Sequence, residues 1–379
     1  MMDLLILCHY GLYKDLSASF VHAQAKSFAA LGNRVRVIIP IAYGKTDING
    51  KKTSKVLTTS NVDGVELYYV RYLSLSGYGE KNWNVKMATK AIMKKLSIIT
   101  KDFAPKVLYA HTLGFDSGVG ANLKSRLRCP LVVTSHGSDS SIPYEKGQLE
   151  SIREWCDKAD RVVAVSSALA RKIKESGTKT EVDVILNGFR TEHLPKTTQK
   201  IEKSFVQVGH LIDQKRVNIT IEAFAKIAEE MSDATLTIIG DGAKREELET
   251  LCKTLNIEDK VTFTGHIPNE KVLEHLSKSQ FFIMPSVREG FGIVYIEAMA
   301  CGCVTIGTKG EGIADVIVNG ENGYLVTADS PQEIVLVVEE CLKNIETSKR
   351  IANQGQQDAK KITWESNAQK YIQLFEEIK

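Results

Sequence analysis

The first half of the chain alternates short apolar runs with amphipathic stretches of helical spacing. The runs DLLILCHY, RVRVIIP, VELYYVRYL, KVLYAHT, LVVTS and RVVAVSS have the length and composition of buried strands. Helical patterns separate most of them, and SFVHAQAKSFAALG should end at Gly32, because glycine readily adopts the left-handed conformation that terminates helices. We expect a Gly-, Lys- and Thr-rich loop before VELYYVRYL and one long helix over 84–101. Strands joined through helices predict a doubly wound parallel α/β sheet.

The second half repeats this alternation. Strands are predicted at SFVQVGH, ATLTIIGDG, KVTFTGH, FFIMPS and VTIGT, with helices between them and two closing helices at ADSPQEIVLVVEECLKNI and ITWESNAQKYIQLFEEIK. The polar, basic segment FRTEHLPKTTQKIEKS separates the halves and is predicted to be a linker. A chain of 379 residues suits two domains of this kind. Because open α/β sheets bind ligands at the carboxyl ends of their strands, two such domains face to face would form a deep cleft.

Charge is distributed unevenly between the halves. Residues 1–192 carry 28 Lys and Arg against 18 Asp and Glu, a net +10, which leaves −7 for the remainder of a chain whose total is +3. This split indicates either an anionic partner for the first half or attraction between the two domains, and both interpretations stay open. No apolar run approaches the ~20 residues of a membrane span. The opening MMDLLILCHYG has no basic n-region and is typical of a first strand, so we expect a cytoplasmic protein.

The stretch SVREGFGIVYIEAMACGC places two glutamates eight positions apart around Gly-Phe-Gly. On one helix they would lie about 80° apart, which is poor geometry for a coupled acid/base pair. We therefore expect Glu289 to precede a helix that begins at Ile293, and Glu297 to lie on it. The helix N-terminus and the flexible glycines predict a phosphate site at the N–H groups of Gly292 and Ile293. The carboxylates would then bind sugar hydroxyls, unless they are solvated surface charges.

Around these glutamates the sequence resembles a known family. REGFGIVYIEAMACGCVTIGTKGEGIADVIVNGENGYLV resembles the E-x7-E signature of glycosyltransferase family 4, retaining enzymes of the GT-B fold. Further segments resemble this family in order, including FVHAQAKSFAALGNRVRVIIP, VILNGFRTEHL, VGHLIDQKRVNITIEAFAKI and LTIIGDGAKREEL. The resemblance implies two Rossmann-like domains facing across a cleft. The N-terminal acceptor domain would span 1–188 together with a returning C-terminal helix, 364–379, and the donor domain would span 189–363.

The resemblance also implies a role for each matching residue. Glu289 would contact hydroxyls of the transferred sugar, Glu297 the nucleotide ribose and Lys215 the donor diphosphate. His136 would reach the donor sugar near its reacting carbon, and His111 is a second candidate that also ends a strand. The catalytic set is thus Glu289, Lys215 and His136, and the donor-binding set is His210, Lys215, Ile267, Glu289, Gly290, Phe291, Gly292, Ile293, Glu297 and Gly11.

Three positions depart from the family pattern. His210 stands where an arginine is usual, so we expect diphosphate affinity to fall as rising pH removes its charge. Gly11 is the only glycine of HYGLYKDLSAS, where the family has a glycine-rich loop, which leaves the contacts of that loop uncertain. Arg190 stands where an aspartate is common, and we expect it to affect hinge geometry alone.

The expected reaction is transfer of a hexosyl unit with retention, without a metal cofactor or a side-chain nucleophile. A UDP-sugar is the favoured donor, with GDP-mannose next, and the acceptor is a saccharide or a lipid-linked saccharide. No D-x-D motif lies in a suitable loop, and Cys301 and Cys303 are expected to be buried thiols rather than metal ligands. No nucleic-acid partner is expected.

Residues 81–101 carry Trp83 and six lysines among apolar positions. A basic amphipathic helix of this kind can lie on an anionic membrane, which would suit a lipid-linked acceptor at the inner leaflet. An ordinary solvated helix face is the alternative.

Two other functions remain open at this point. A sugar-nucleotide epimerase of the same fold would need no acceptor, but the E-x7-E region argues against it. A catalytically silent sugar-nucleotide sensor is disfavoured by Glu289, Glu297 and Lys215 but is kept open by His210 and the altered first loop. A nicotinamide oxidoreductase lacks support, because G-x-G-x-x-G does not follow the first strand.

Overall fold

The computed structural model describes residues 1–9, 20–43, 55–74, 80–137, 146–195 and 199–378. The chain forms two compact units, Met1–Gly188 with Trp364–Lys379, and Phe189–Thr363. The predicted site residue Gly11 lies outside the described residues.

The first unit is built on a mostly parallel sheet covered by helices. Its strands are β1 (Asp3–Leu7), β2 (Arg34–Ala42), β3 (Leu57–Val62), β4 (Val65–Tyr72), β5 (Val107–Ala110), β6 (Leu131–Ser135), β7 (Arg161–Ala164) and β8 (Val182–Val184). The first six helices are α1 (Phe20–Ala30), α2 (Glu80–Met93), α3 (Leu96–Ile99), α4 (Phe115–Leu127), α5 (Lys146–Cys156) and α6 (Ser167–Glu175). The strand order is β3-β4-β2-β1-β5-β6-β7-β8 over the part of the chain described. The central strand β1 is buried at all five positions, because helices cover both faces of a parallel sheet.

The antiparallel edge strand β3 was not predicted. It pairs with β4 from Leu57 opposite Val70 to Val62 opposite Val65. Its residues LTTSNV are half-buried or exposed, so it lacks the apolar run by which the other strands were recognised. The two-residue turn between these strands, Asp63-Gly64, has positive φ at both positions (53° and 79°). Asp-Gly between two strands is a common hairpin turn and was the available signal.

The single helix expected over 84–101 is divided in the structure. Helix α2 ends at Met93 and α3 begins at Leu96, with a turn between them. Hydrogen bonds nevertheless continue across the junction. The Lys95 N–H donates to the carbonyl of Ile92 in α2 at 2.8 Å, and the N–H groups of Ile98 and Ile99 in α3 both donate to the carbonyl of Lys95 at 3.0 Å. The two helices therefore present a nearly continuous surface.

The second unit contains a six-stranded parallel sheet. Its strands are β9 (Ile201–Val208), β10 (Thr235–Ile239), β11 (Val261–Gly265), β12 (Ser279–Ile283), β13 (Val304–Thr308) and β14 (Tyr324–Val326). Its helices are α7 (Val217–Glu230), α8 (Arg245–Thr254), α9 (Asn269–Lys278), α10 (Ile293–Ala300), α11 (Pro331–Lys343) and α12 (Ile345–Ala359). The strand order is β11-β10-β9-β12-β13-β14. Strand β14 and the largely polar α12 were not predicted, and β9 begins inside the expected linker.

The last helix, α13 (Trp364–Glu377), packs against α1 and belongs to the first unit, as predicted. A buried polar network holds it there. The side-chain amide of Gln24 donates to Asn367 Oδ1 at 2.7 Å, and Asn367 Nδ2 donates to the carbonyl of Leu186 at 2.7 Å. The hydroxyls of Tyr371 and Thr134 lie 2.7 Å apart. These directional bonds fix both the position and the rotation of α13 on the sheet.

Replacing Asn367 with alanine should therefore destabilise the first unit. The change leaves Gln24 Nε2 and the Leu186 carbonyl buried without their partners, which costs about 2–3 kcal/mol of unfolding free energy. Urea denaturation measures this loss. Gln369, exposed on the same helix, provides the control, because Gln369→Ala should change stability by less than about 0.5 kcal/mol. Equal effects of the two substitutions would contradict the assignment of the network.

No helix in the described ranges has both the length and the apolar character needed to cross a bilayer.

Candidate functional site

The carboxyl ends of β9 and β12 lie side by side in the second unit, because these strands are neighbours in its sheet. The loops that follow them are tied together by two hydrogen bonds. The Val287 N–H donates to the carbonyl of Gln214 at 2.9 Å, and the Gln214 side chain donates to the carbonyl of Arg288 at 2.8 Å. The loop of Lys215 and the loop of Glu289 are therefore held together at the carboxyl-terminal end of the sheet.

The ammonium group of Lys215 and the carboxylate of Glu289 form an ion pair across these loops. Their side chains are only 16% and 15% exposed, so both charges are partly desolvated. The Lys215 side chain runs along Gly209, where an added Cβ would lie 3.4 Å from Lys215 Cε. Gln207 Nε2 donates to the Lys215 carbonyl at 2.8 Å and holds the backbone. We predicted that Lys215 contacts the donor diphosphate and that Glu289 contacts the sugar. In the structure the two side chains also contact each other.

A second carboxylate, Glu311, anchors the glycine loop, by which we mean residues 289–293. It accepts hydrogen bonds from the N–H groups of Arg288 and Glu289, both at 2.9 Å. Arg288 has a φ of 56°, so this anchor holds a backbone conformation that side chains other than glycine rarely adopt. Glu311 was not predicted as a site residue, although it lies between two glycines in the GEGIA segment that follows β13.

Within the glycine loop, Gly292 caps α10 with a φ of 78°. A Cβ at this position would lie 2.6 Å from the Tyr295 ring, so the close turn requires glycine. The buried Tyr295 hydroxyl lies 2.8 Å from Ser286 Oγ and also bonds to the carbonyl of Met284. Helix α10 begins at Ile293 as predicted. The Tyr295 N–H donates to the Gly292 carbonyl at 3.0 Å, whereas the N–H groups of Ile293 and Val294 have no acceptors within the helix. An anion at this point would meet them.

Glu297 lies on α10 as expected and accepts a hydrogen bond from Asn269 Nδ2 at 3.1 Å. Burial raises the pKa of Glu297 to about 7, although the nearby positive charge of Arg190 lowers it. Asn269 begins α9, two residues after Ile267, so the predicted ribose and base contacts lie close together. The expectation that Arg190 affects hinge geometry alone was too narrow, since its charge acts on Glu297.

The raised pKa of Glu297 makes stability depend on pH. The pKa of Glu297 is higher in the folded protein than the value of about 4.3 expected in the unfolded chain, so the folded protein holds this proton more tightly. The resulting stabilisation is complete below about pH 4.3 and is lost as the pH rises towards 7. Between pH 5 and 8, the wild type should therefore lose roughly 2–3 kcal/mol more unfolding free energy than Glu297→Gln, which stays neutral. Urea denaturation at both pH values measures the difference. A Glu270→Gln control, exposed on α9, should follow the wild type, and a wild-type-like Glu297→Gln would contradict the assignment.

The remaining predicted donor-binding residues also lie in loops at the carboxyl-terminal end of the sheet. His210 is exposed in the loop after β9, and Ile267 is half-buried between β11 and α9. The loop after β10 packs closely against the backbone beside His210, because a Cβ at Gly240 would lie 2.0 Å from the carbonyl oxygen of Gly209. The predicted residues of the second unit thus surround the ends of β9, β11 and β12.

His136 belongs to the first unit and forms a pair with His111. Its Nε2 lies 3.3 Å from His111 Nδ1, and the two rings are parallel within 6°. Burial lowers the pKa of His136 to about 3 and holds that of His111 well below its usual range. Both rings are therefore neutral near pH 7, and a hydrogen bond between them requires one ring to donate and the other to accept. The predicted role of His136 stays a prediction.

No group of three or more His, Cys, Asp or Glu side chains in the described ranges could hold a metal ion. Cys303 is buried, and its thiol donates to the carbonyl of Leu276 at 3.0 Å. Burial raises the pKa of the Cys301 thiol to about 12. Cys303 is therefore a buried thiol as expected, whereas Cys301 is only half-buried.

Two family models and several curated proteins are similar to this chain. Residues 189–358 match the profile of the family described as glycosyl transferases group 1, and residues 17–193 match that of glycosyltransferase family 4. N-acetyl-alpha-D-glucosaminyl L-malate synthase of Bacillus anthracis is 30% identical over 77% of this chain and 77% of its own. N-acetylgalactosamine-N,N'-diacetylbacillosaminyl-diphospho-undecaprenol 4-alpha-N-acetylgalactosaminyltransferase of Campylobacter jejuni is 27% identical over 77% of this chain and 73% of its own.

Solved structures share the whole fold. Anabaena HepE in complex with UDP aligns with a TM-score of 0.77 over 99% of this chain and 100% of its own, at 19% identity. The predicted fold class is therefore confirmed, and the chain belongs to the glycosyltransferases of family 4 type, with the GT-B fold.

Proposed function

We propose that this protein is a retaining hexosyltransferase that takes its sugar from a nucleoside diphosphate donor. A UDP-sugar is the favoured donor, with GDP-mannose next. The observation that carries the proposal is the partly buried pair of Lys215 and Glu289 beside the first N–H groups of α10. This pair offers a cation for a leaving diphosphate and a carboxylate for sugar hydroxyls. The name of the HepE structure, a complex with UDP, supports the choice of a uridine donor.

Donor binding would exchange the partners of this ion pair. Lys215 would turn from Glu289 to the diphosphate, and the glycine-loop N–H groups and a protonated His210 would add positive potential there. Glu289, released from Lys215, would then accept hydrogen bonds from hydroxyls of the transferred sugar. Glu297 and Asn269 would bind the ribose, and the base would lie against the backbone at Ile267. A partly desolvated site strengthens each of these interactions.

The proposed chemistry is front-face substitution without a metal ion. As the bond between the anomeric carbon and the diphosphate oxygen breaks, the acceptor oxygen attacks the same face of the sugar. A phosphate oxygen of the leaving group takes the acceptor proton, so no side-chain nucleophile is needed. The neutral His136 would orient the donor sugar near its reacting carbon. The configuration at that carbon is then retained.

The proposed acceptor is a saccharide or lipid-linked saccharide bound by the first unit, in the assembly of cell-surface polysaccharide or another glycan. The name of the Campylobacter relative, which includes a diphospho-undecaprenol acceptor, supports a lipid-linked substrate. The name of the Bacillus relative, an N-acetyl-alpha-D-glucosaminyl L-malate synthase, supports a small soluble acceptor instead. We place the enzyme in the cytoplasm, in peripheral contact with the inner leaflet.

A panel of nucleotide sugars tests the proposal. Thermal shift measures binding, and slow release of nucleoside diphosphate measures donor hydrolysis. One donor that both stabilises the protein and is hydrolysed would support the transferase and identify its substrate. Product analysis by NMR then tests retention. Binding without turnover in the presence of extracted lipid and sugar acceptors would favour a silent sensor, and a rearranged sugar released without acceptor would favour an epimerase. Absence of binding to every donor would overturn the proposal.

A further inference from the structure

Helices α2 and α3 carry one exposed stripe of alternating apolar and cationic side chains. Its apolar members, Trp83, Met93 and Ile98, have 41%, 39% and 50% of their surface exposed. Along α2, spacings of three or four residues place Trp83 and Met93 on the side that carries Lys86 and Lys90. Exposed Lys94 follows in the turn after α2, Ile98 lies on α3, and exposed Lys101 lies in the turn beyond α3. We call this surface the lysine stripe; it consists of Trp83, Lys86, Lys90, Met93, Lys94, Ile98 and Lys101.

The opposite face of these helices is fixed to the unit. Ala88, Ile92, Leu96 and Ile99 are buried at the intervening helical positions. At the end of α3, the Arg36 guanidinium donates to the carbonyls of Ile99 and Lys101 at 2.7 and 2.8 Å. The lysine stripe is therefore held rigidly, and binding through it requires little ordering of the backbone.

Few carboxylates lie near the lysine stripe along the chain, and Glu80 and Asp102 flank it at its two ends. Residues 81–101 contain no Asp or Glu. Within the described part of the chain, Lys86, Lys90, Lys94 and Lys101 form no ion pair, whereas Lys124 on the adjacent α4 pairs with Asp160 at 2.6 Å. Like charges four residues apart on a helix repel one another. A surface that combines this repulsion with exposed Trp, Met and Ile fits an anionic, partly apolar partner.

We propose that the lysine stripe docks the protein on an anionic lipid bilayer. Cationic side chains are attracted to anionic headgroups, while Trp, Met and Ile enter the boundary between headgroups and acyl chains. The interspersed apolar residues favour a bilayer over a nucleic acid, whose backbone offers charge without apolar surface at this face. The proposal gives a structural basis to the lipid-linked acceptor of the proposed function, but the docking itself does not depend on transferase activity.

Vesicle co-sedimentation of the full chain tests the docking. The vesicles contain phosphatidylcholine alone or with about one-third phosphatidylglycerol. The wild type should bind the anionic vesicles and should bind the neutral ones weakly. The triple variant Lys86→Glu, Lys90→Glu, Lys94→Glu should lose at least about tenfold in partitioning. The control variant Arg171→Glu, Lys174→Glu, Lys179→Glu has the same charge change at exposed positions of the same unit, and it should lose less than about threefold.

The apolar members are tested separately. Trp83→Ser with Ile98→Ser leaves the charge unchanged and should also weaken vesicle binding, whereas a purely electrostatic attraction would be unaffected. Equal losses in the two charge-reversal variants would overturn the proposal in favour of diffuse charge, and so would absence of wild-type binding at low salt. Displacement of the protein from vesicles by a short RNA would indicate a nucleic acid instead. Hydrolysis of a soluble donor should be unchanged in the stripe variants, so failure of docking and failure of the transferase are distinguishable.

Discussion

Replacement of Glu289 by glutamine should lower the turnover of the preferred donor by about 10²–10³-fold while weakening donor binding only a few fold. Glutamine retains the shape of the side chain but loses its charge, so it accepts weaker hydrogen bonds from the sugar hydroxyls as positive charge develops on the ring. Lys215 would also lose its ion-pair partner in a partly desolvated site. Initial rates of nucleoside diphosphate release, with binding measured separately, give the two effects.

The partner variant Lys215→Met should act mainly on the diphosphate. It should weaken binding of both donor and free nucleoside diphosphate and lower turnover by at least about 10²-fold. Because Lys215 and Glu289 contact one another, the double variant should be less impaired than the product of the two single effects. An additive double variant would contradict the proposed exchange of partners.

A surface ion pair of the same unit provides the matched control. Glu274 is 48% exposed and pairs with Lys271 at 2.9 Å. An exposed pair is screened by water and contributes little, so Glu274→Gln should change neither turnover nor donor affinity by more than about twofold. If Glu289→Gln resembled this control, Glu289 would be a structural carboxylate, and the transferase chemistry would need another residue.

The parts of the fold that sequence predicted are those whose pattern is local. The buried run of β1 was correct because a continuous apolar run records that both faces of the strand are covered. The return of α13 to the first unit was expected from the family resemblance and not from its own pattern. Strand β3 was missed because its half-exposed edge position replaces the apolar run with LTTSNV. The break between α2 and α3 was missed because buried Ile92 and Leu96 keep helical spacing across it.

The same distinction holds at the site. The start of α10 at Ile293 was predicted because the glycines and the following helix are adjacent in sequence. The Glu311 anchor was missed because its hydrogen bonds to the Arg288 and Glu289 N–H groups cross 23 and 22 positions. Likewise, the contact between Asn269 and Glu297 spans 28 positions. A single sequence does not show which loops meet, since that depends on the order of strands in the sheet.

The second large effect is expected for Gly312→Ala, because the backbone at Gly312 lies close to the glycine loop. An added Cβ at Gly312 would lie 2.4 Å from the carbonyl oxygen of Gly290 and 2.8 Å from Phe291 Cα. Both are backbone atoms of the glycine loop, so the clash cannot be relieved by rotating a side chain. The loop must move away from Gly312, and its N–H groups and Glu289 move with it. Donor affinity should fall at least tenfold, and unfolding free energy should fall by about 1–3 kcal/mol.

The neighbouring Gly310→Ala separates loop displacement from backbone strain. Gly310 has a φ of 77° and no heavy atom within 4 Å of an added Cβ, whereas Gly312 is not left-handed. Alanine at 310 should therefore cost about 1 kcal/mol of stability through strain alone and should leave donor affinity unchanged. Thermal denaturation and donor titration of both variants measure the two effects. Equal donor affinities for both variants would mean that the close contact between Gly312 and the glycine loop does not position the donor site.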